Sequence, residues 1–371
     1  MDSKNVKAVI VAGGLSSRMK EFKPLLEIGN STIVEMTINN FKQFGINEII
    51  VVTGFRGDEI EHRLSNYNIQ FVRNTDYENT HMFDSVCMGL NDVNDAKFVF
   101  ISPADSPFVQ QFTIKKILEE MNNEDINLIQ PSYEGKNGHP LLLRMKSVDN
   151  ILKHDGTKGL QGAIAKMGDE CKNISFVDPG IVLDADTPGE YFKLIEFNEN
   201  NSCPTLSLCR KIQEYFQMQD DVKAHSNKVL MAAMSISSKL YKSGIKLNNK
   251  IIMASCLLHD IAKGRPHHAD TGAQWLKDMG YAEVSQIVKE HMQQNDISKS
   301  PTEKEVVYLA DKMVIGDEIV SIEEKFSTKE EMYKNDYEAL ETVKYRKKQA
   351  MEIYNSIISL EGEDYETNQD C

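Results

Sequence analysis

The sequence has few cysteines, no basic excess and no long apolar run, and each absence excludes a class of protein. The six cysteines are scattered without Cys-x-x-Cys spacing, so reduced thiols are expected rather than a disulfide framework. No apolar stretch reaches the length of a membrane span, and the N-terminal Met1–Lys7 lacks the apolar core of a signal peptide. We therefore expect a cytoplasmic protein without a membrane partner.

Charge and length set two further limits. The formal net charge of −14 argues against a surface that coats nucleic acid. It is compatible with an enzyme that neutralises a small anionic substrate locally, with a few cations and metals. A chain of 371 residues is too long for one ordinary core, so two domains are expected.

A glycine loop near the N-terminus carries the first indication of chemistry. A run of apolar residues from Val6 to Val11 is typical of a buried parallel strand, and Gly13-Gly14 follow it directly. Glycines let backbone N–H groups approach phosphate oxygens, and Arg18 and Lys23 would supply the positive charge that a leaving pyrophosphate needs. The loop is neither a P-loop nor a dinucleotide-binding fingerprint. The glycines alone would also fit an ordinary turn with a solvated Arg and Lys.

Strands and helices alternate through the first half of the chain. Three more strands are predicted, at Glu48 to Thr53, Ile69 to Val72 and Phe98 to Ile101, and the first helix begins at the capping box Thr32-x-x-Glu35. This alternation predicts a parallel sheet with ligands at the carboxyl ends of its strands. The glycine loop and Asp105 both follow such ends, so they can face one site.

Two groups of acidic residues are candidates for a metal site. Asp105 lies between two prolines after a buried strand, which suits a divalent-metal ligand, although a helix cap or turn residue would look the same. Asp184 and Asp186 follow an apolar run that begins at Ile181 and that we interpret as another strand end. Acidic residues at two strand ends can hold Mg²⁺ across a triphosphate.

These motifs resemble the MobA-like nucleotidyltransferases, which make molybdenum-cofactor dinucleotides. The resemblance covers roughly residues 6 to 196 and includes the loop from Ala12 to Met19, the Asp-x-Pro turn, the Asp-x-Asp-Thr-Pro motif, and the Gly138-His139-Pro140 turn of the cytidylyl branch. Lys20 stands where the family usually has glycine. The loop 155–159 departs from the usual G-D-x-G-x-R, which leaves Lys158 a weaker phosphate-binding candidate. The implied fold is an α/β Rossmann-like nucleotidyltransferase domain with a mostly parallel sheet, over residues 1–199.

The resemblance also implies roles for these residues. The implied reaction transfers CMP from CTP to a phosphorylated acceptor such as molybdopterin and releases pyrophosphate, with possible contact with an acceptor apo-enzyme; a sugar or alcohol phosphate is the alternative acceptor. Asp105 and Asp186 would bind Mg²⁺, with Asp184 as the alternative, and His139 would orient the acceptor phosphate unless it is merely a turn residue. Arg18 and Lys23 would be catalytic. The residues implied to bind the nucleotide are Ala12, Gly13, Gly14, Ser16, Ser17, Arg18 and Lys23.

The pattern of apolar residues changes after the polar, turn-rich segment from Asn198 to Pro204. Helical periodicity replaces the strands, which predicts an all-α domain at 204–360. The acidic segment 361–371 is expected to be a disordered tail.

Histidines concentrate in this helical half. His259 and Asp260 lie side by side on a predicted helix, Met253 to Lys263, that is otherwise apolar, and such a polar pair is unfavourable when buried without partners. Imidazole and carboxylate groups are the ligands of Zn²⁺, Fe or Mn²⁺. Taken singly, His225, His291 and Asp311 would each be interpreted as surface or capping residues.

Together these residues resemble the HD phosphohydrolases, whose pattern H…HD…D matches His225, His259-Asp260 and Asp311. His268, with His267 as the alternative, and His291 resemble the subgroup with two metals. The resemblance implies two transition metals (Fe, Mn or Zn) bridged by a catalytic Asp260, and hydrolysis of a phosphate ester or anhydride of a nucleotide. Lys263 would contact a phosphate. The alternative is a non-catalytic nucleotide-sensing module that regulates the first domain.

Overall fold

The structure is a computed structural model that describes residues 5–16, 18–19 and 21–366. The chain divides into two compact units between Asn200 and Asn201. This division falls inside the segment interpreted from sequence as the boundary, although the last helix of the first unit extends through Asn200.

The first unit alternates strands with helices. Its strands are β1 (Val6–Ala12), β2 (Glu27–Ile28), β3 (Ser31–Thr32), β4 (Ile49–Thr53), β5 (Gln70–Arg73), β6 (Phe98–Pro103), β7 (Leu128–Tyr133), β8 (Lys136–Asn137), β9 (Leu141–Arg144) and β10 (Cys171–Ser175). Its helices are α1 (Ile33–Gln43), α2 (Gly57–Arg63), α3 (Met82–Asn91), α4 (Gln111–Glu120), α5 (Val148–Leu152), α6 (Gly159–Lys166) and α7 (Pro188–Asn200).

The main sheet confirms the mostly parallel α/β fold that the sequence predicts. Its strand order is β10-β7-β9-β6-β1-β4-β5, with β8 paired to β7. Strand β1 is parallel to β4 and β6, whereas β9 is antiparallel to β6 and β7. Because Ala12 pairs with Thr53 and Val11 with Pro103, the ends of these three strands align at one edge. The glycine loop after β1 and Asp105 after β6 therefore begin at the same edge of the sheet.

The interpretation of Ile181 as part of a strand is wrong, because residues Pro179–Val182 form a 3₁₀ turn. Asp178 precedes this turn and accepts a hydrogen bond from Gly180 N at 2.9 Å, and Pro179 fixes the backbone angle φ at the first position. Local capping thus overrides the β preference of Ile181 and Val182. The acidic pair Asp184 and Asp186 follows a turn, not a strand.

The second unit is helical, as predicted. Its helices are α8 (Leu206–Tyr215), α9 (Asp220–Lys242), α10 (Asn249–Leu258), α11 (His268–Asp278), α12 (Ala282–Glu290), α13 (Glu303–Lys312), α14 (Ile322–Met332) and α15 (Tyr337–Glu366). A short hairpin of β11 (Val314–Ile315) and β12 (Glu318–Ile319) is the exception to the all-α prediction.

Two helix boundaries differ from the sequence interpretation. Helix α10 ends at Leu258 and not at Lys263. Beyond Leu258 the backbone hydrogen bonds join residues three apart, as from Lys263 N to Asp260 O, and not four apart as in an α-helix. Helix α15 continues to Glu366, into the segment expected to be a disordered tail, and residues 367–371 lie outside the described part. Glu is a good helix former, so acidic composition does not by itself stop a helix.

Two expectations from composition concern the whole chain. Within the described ranges, no helix is both long and apolar enough to cross a membrane. The cysteines that the structure describes carry free thiols; they are Cys87, Cys171, Cys203, Cys209 and Cys256.

Candidate active site and candidate metal centre

A cavity of about 790 Å³ opens at the carboxyl edge of the sheet in the first unit. Residues from the glycine loop, the end of β6 and the 181–186 segment line it. The candidate site residues on its wall are Ala12, Gly13, Gly14, Ser16, Arg18, Lys23, Asp105, His139, Asp184 and Asp186. Ser17 lies outside the described residues. Lys158 is absent from the lining formed by the part of the chain that the structure describes.

Close backbone packing shapes the glycine loop. A Cβ atom on Gly54, directly after β4, would lie 2.9 Å from Gly13 O, so these two backbone segments can approach each other only because Gly54 has no side chain. On the other side of the loop, Lys23 N donates to Ser16 Oγ at 3.3 Å. This bond ties the loop at Ser16 to the Lys23–Leu25 turn, and Lys23 itself lines the cavity.

Lys23 and Arg18 are both paired with acids in the cavity. Lys23 Nζ contacts Asp186 Oδ1 and lies 3.5 Å from Asp105 Oδ2. Arg18 reaches the other oxygen of Asp186 at 2.6 Å. The Lys23 side chain is 13% exposed and that of Arg18 is 71% exposed, so solvent screens the second pair much more than the first.

The three cavity acids differ in their pKa. Burial raises the pKa of Asp105, and the charge of Lys23 only partly offsets it. Burial and the negative charges of Asp105 and Asp186 raise the pKa of Asp184 to about 6. Burial acts in the same direction on Asp186, but Lys23 and Arg18 outweigh it and lower its pKa. Two basic side chains, those of Lys23 and Arg18, contact this group of three carboxyl groups. The excess of acid is compatible with a bound metal cation.

The Gly138-His139-Pro140 turn packs directly on the acidic segment. A Cβ atom on Gly138 would lie 2.4 Å from Ile181 O, and His139 N donates to that same oxygen at 2.9 Å. Burial lowers the pKa of His139 to about 4, and its Nδ1 is buried without a hydrogen-bond partner among the described residues. His139 is therefore a neutral imidazole at the cavity wall, next to the segment that carries Asp184 and Asp186.

Sequence reasoning missed part of the cavity wall. Asn74 is buried and donates to Thr80 Oγ1 at 2.8 Å and to Ser85 Oγ at 3.1 Å, which fixes the polar loop that follows β5. The available signal was a polar loop leaving the same edge of the sheet. The further polar residues on the wall are Asn74, Tyr77, Thr80, His81, Ser85, Ser106, Lys136 and Asn137.

The six predicted metal ligands of the second unit converge from different elements. Helix α9 supplies His225, the turn after α10 supplies His259 and Asp260, α11 supplies His268, the end of α12 supplies His291, and α13 supplies Asp311. His268 Nε2 lies 3.4 Å from Asp260 Oδ1, whereas the alternative His267 is exposed, with a left-handed backbone before α11.

Asp260 is shared by two groups of ligand atoms. His225, His259 and Asp260 form one group, and Asp260, His268 and His291 form the other; within each group the ligand atoms lie within 4.8 Å of one another. Asp260 Oδ1 lies 3.5 Å from His291 Nε2, and its Oδ2 lies 3.5 Å from His259 Nε2. Asp311 Oδ1 adds to the first group, at 3.2 Å from His225 Nε2.

Hydrogen bonds to the backbone fix how the histidines are presented. His259 Nδ1 lies 2.8 Å from Cys256 O, His291 Nδ1 lies 2.6 Å from Val288 O, and His225 Nδ1 lies 2.9 Å from Gly316 O. A carbonyl can only accept, so each Nδ1 carries a proton, and in the neutral form of the ring Nε2 is the nitrogen that keeps a lone pair for a metal. This is how proteins prepare histidine as a metal ligand.

The ligand atoms fit a metal centre because they are buried and otherwise unpaired. The Nε2 atoms of His259, His268 and His291 and the Oδ1 atom of Asp260 have no hydrogen-bond partner within the described ranges. Burial lowers the pKa of His259 to about 4, which keeps it neutral. Burial alone would raise the pKa of Asp260, but the surrounding histidines lower it, so this carboxyl is ionised. Imidazole nitrogens around an ionised carboxylate form a donor set for transition metals.

Lysines flank both carboxylates of the centre. Lys263 Nζ lies 2.7 Å from Asp260 Oδ2 and is half exposed, as a phosphate contact would require. Burial alone would raise the pKa of Asp311, but the charges of the buried Lys312 and Lys325, together with His225, lower it well below its usual range. Sequence reasoning did not find Lys312 and Lys325. The only signal for Lys312 was the charged pair Asp311-Lys312 directly after the apolar run from Val306 to Ala310.

Comparisons with known proteins agree with this division. A model of the MobA-like NTP transferase domain matches residues 8–171, and a model of the HD domain matches residues 222–316. The molybdenum cofactor cytidylyltransferase of Escherichia coli (strain K12) is 30% identical over 187 residues, which are 50% of this chain and 93% of that protein.

More distant matches concern the same half. The bifunctional protein GlmU of Blochmanniella pennsylvanica (strain BPEN) is 26% identical over 48% of this chain, which spans 38% of that protein. A solved nucleotidyl transferase from Methanothermobacter thermautotroptrophicus aligns with 53% of this chain and 99% of its own, at 21% identity and a TM-score of 0.48. On the strength of the family models and the cytidylyltransferase match, the chain belongs to the MobA-like NTP transferases in its first half and carries an HD domain in its second.

Proposed function

We propose that the first unit transfers a nucleotidyl group, CMP from CTP, to a phosphorylated acceptor of the molybdopterin type and releases pyrophosphate. The observation that carries this proposal is the cavity in which the glycine loop, Lys23 and Arg18 face Asp105 and Asp186. The cytidylyltransferase that this half resembles supports the choice of base and acceptor.

The residues would divide the work by charge. Backbone N–H groups at Gly13 and Gly14 would bind phosphate oxygens, and Lys23 would leave Asp186 to neutralise the departing pyrophosphate. Asp105 and Asp186, freed from Lys23, would hold Mg²⁺, which when bound reduces the charge of the triphosphate. His139, neutral and close to the acids, would orient the acceptor phosphate by donating a hydrogen bond.

The experiment is incubation of the purified chain with each nucleoside triphosphate and a panel of acceptors, with pyrophosphate release as the measured quantity. We expect release with CTP and a molybdopterin-type acceptor in the presence of Mg²⁺. Release with only a sugar or alcohol phosphate would replace the acceptor and keep the reaction. Absence of release with every pair would overturn the transferase proposal.

We propose that the HD unit is a metal-dependent phosphohydrolase acting on a phosphate ester or anhydride of a nucleotide. The observation that carries this is the pair of His/Asp groups sharing Asp260. In these groups the Nε2 atoms of His259, His268 and His291 and the Oδ1 atom of Asp260 are buried and have no hydrogen-bond partner within the described residues. Two bound metals, Fe, Mn or Zn, would polarise the phosphoryl oxygens and activate water. Lys263, beside Asp260 and half exposed, would contact a substrate phosphate.

Metal analysis and hydrolysis assays test this second proposal together. We expect about two transition metals per chain, by analogy with other dinuclear sites, and release of phosphate or a nucleotide. A protein that binds nucleotide but retains no metal and hydrolyses nothing would instead be the regulatory module that is the alternative for this half.

We also propose that the halves are independent domains, at residues 1–199 and 204–360. The compact units on either side of Asn200 support this. Fragments 1–200 and 204–371 should each melt cooperatively, and failure of both to do so would refute the proposal.

A further inference from the structure

One buried lysine contacts ligands of both candidate metal subsites. Lys312 Nζ lies 2.5 Å from Asp311 Oδ2 and donates to His291 O at 2.9 Å. It also lies 4.8 Å from the centroid of the Tyr308 ring, and its side chain is only 3% exposed. Asp311 belongs to the subsite of His225 and His259, whereas His291 belongs to the other.

A buried ammonium group is unfavourable unless its charge and its donors are satisfied. Lys312 meets that requirement with a carboxylate oxygen, a carbonyl oxygen and an aromatic face. By taking Oδ2 of Asp311, it leaves Oδ1 as the oxygen that faces His225 at 3.2 Å and His259 at 3.9 Å. Its second bond fixes the carbonyl at the end of α12, where His291 is held.

We infer that Lys312 is a positioning residue of the metal centre, which keeps Asp311 bound through one oxygen and links the ligands of the two subsites. The inference rests on the proposed metal centre. Without Lys312, Oδ2 would be free and Asp311 could rotate to offer both oxygens. The peptide that carries His291 would lose a charge-assisted hydrogen bond.

Two effects of removing Lys312 oppose each other. Loss of a positive charge would strengthen binding of a dication, whereas loss of orientation would weaken it. Outer-shell partners of metal ligands are typically worth about 10- to 100-fold in metal affinity. If Lys312 acts by positioning, the second effect is the larger one.

The test is a Co²⁺ titration of metal-free full-length protein, followed by visible absorption, on the wild type and Lys312→Met. We expect the variant to bind Co²⁺ about 10- to 100-fold more weakly, with weaker absorption because a two-oxygen Asp311 raises the coordination number. Lys304→Met is the matched control, because Lys304 is also on α13, is 16% exposed and pairs with Glu290 and Asp296, which are not candidate ligands. It should titrate like the wild type.

The outcomes separate this inference from the proposed centre. A wild type that binds no Co²⁺ refutes the centre itself. A Lys312→Met variant that binds Co²⁺ equally or more tightly, with an unchanged spectrum, overturns the positioning role. If thermal melting shows that this variant does not fold, Lys312→Gln is titrated instead and is held to the same criterion.

Discussion

The two sites of this chain differ in how their charged groups are paired. In the transferase cavity, Lys23 and Arg18 both contact Asp186, so the site is largely neutralised by its own side chains. In the HD unit, ligand atoms of His259, His291 and Asp260 are buried without hydrogen-bond partners in the described part of the chain. On the proposed functions, the first site exchanges its ion-pair partners when substrate binds, whereas the second already presents unpaired ligand atoms to a metal.

The difference has an energetic consequence. A buried polar group left unsatisfied costs about 1–3 kcal/mol, so the HD unit should gain stability from its metals. Exposed ion pairs contribute little, so Arg18 can leave Asp186 easily. Lys23 is more buried, and its exchange requires that the substrate offer a comparable anion.

The largest expected effect is that of Asp260→Ala. Because Asp260 belongs to both ligand groups, its loss should abolish hydrolysis and release metal, while pyrophosphate release by the other unit continues. Metal content, hydrolysis and pyrophosphate release are measured on the same preparation. A variant that keeps both metals would show that Asp260 is not a shared ligand. The unpaired atoms of the HD unit would then no longer distinguish it from the transferase cavity.

Lys23→Ala should have the next largest effect, on the transferase reaction alone. Loss of one charge-assisted contact to the leaving group costs on the order of 2–4 kcal/mol of transition-state binding, by analogy with loss of an oxyanion donor. Lys7→Ala is the matched control, because Lys7 is 15% exposed and pairs with Glu48, outside the cavity lining. Full pyrophosphate release by Lys23→Ala would mean that the loop has another role.

Sequence patterns predicted the parts of this molecule that are formed by residues close together in the sequence. The apolar run of β1 and the glycines after it are contiguous, so the strand and its loop were identifiable. The turn at Pro179–Val182 was missed because apolar residues there suggest a strand, while Asp178 and Pro179 decide the backbone. Resemblance alone grouped the HD ligands, because they come from five separate elements. No pattern revealed that Lys312 bends back to His291.

A third test uses a buried acid that belongs to neither site. Asp178 accepts hydrogen bonds from Gln110 N, Thr113 Oγ1 and Gly180 N, so burial there is accompanied by complete pairing. Burial nevertheless raises its pKa from 3.8 to about 6. A folded-state pKa above the unfolded one means that protonation favours the folded state. This stability is complete below pH 3.8 and is lost as the pH rises through about 6.

The Asp178→Asn variant isolates that contribution. The stability difference between wild type and variant should be more favourable to the wild type at pH 4 than at pH 7, by on the order of 3 kcal/mol for a shift of about two pKa units. Chemical denaturation of the first unit at both pH values measures it. An equal stability difference at both pH values would show that burial does not raise the pKa of Asp178. Burial would then not be enough to explain the raised pKa of the cavity acids.

The smallest expected effect is that of Arg18→Ala. Exposed ion pairs are worth about 0–1 kcal/mol, so we expect kcat/KM for the nucleotide to fall by no more than about fivefold, far less than for Lys23→Ala. Because Arg18 occupies one oxygen of Asp186, its removal should leave the Mg²⁺ concentration for half-maximal activity unchanged or lower. Arg18→Lys should recover most of the loss, since a charge at the cavity mouth is what matters. An Arg18→Ala defect as large as that of Lys23→Ala would show that Arg18 moves into the cavity when the nucleotide binds, and that the exposed pair with Asp186 is its resting position rather than its working one.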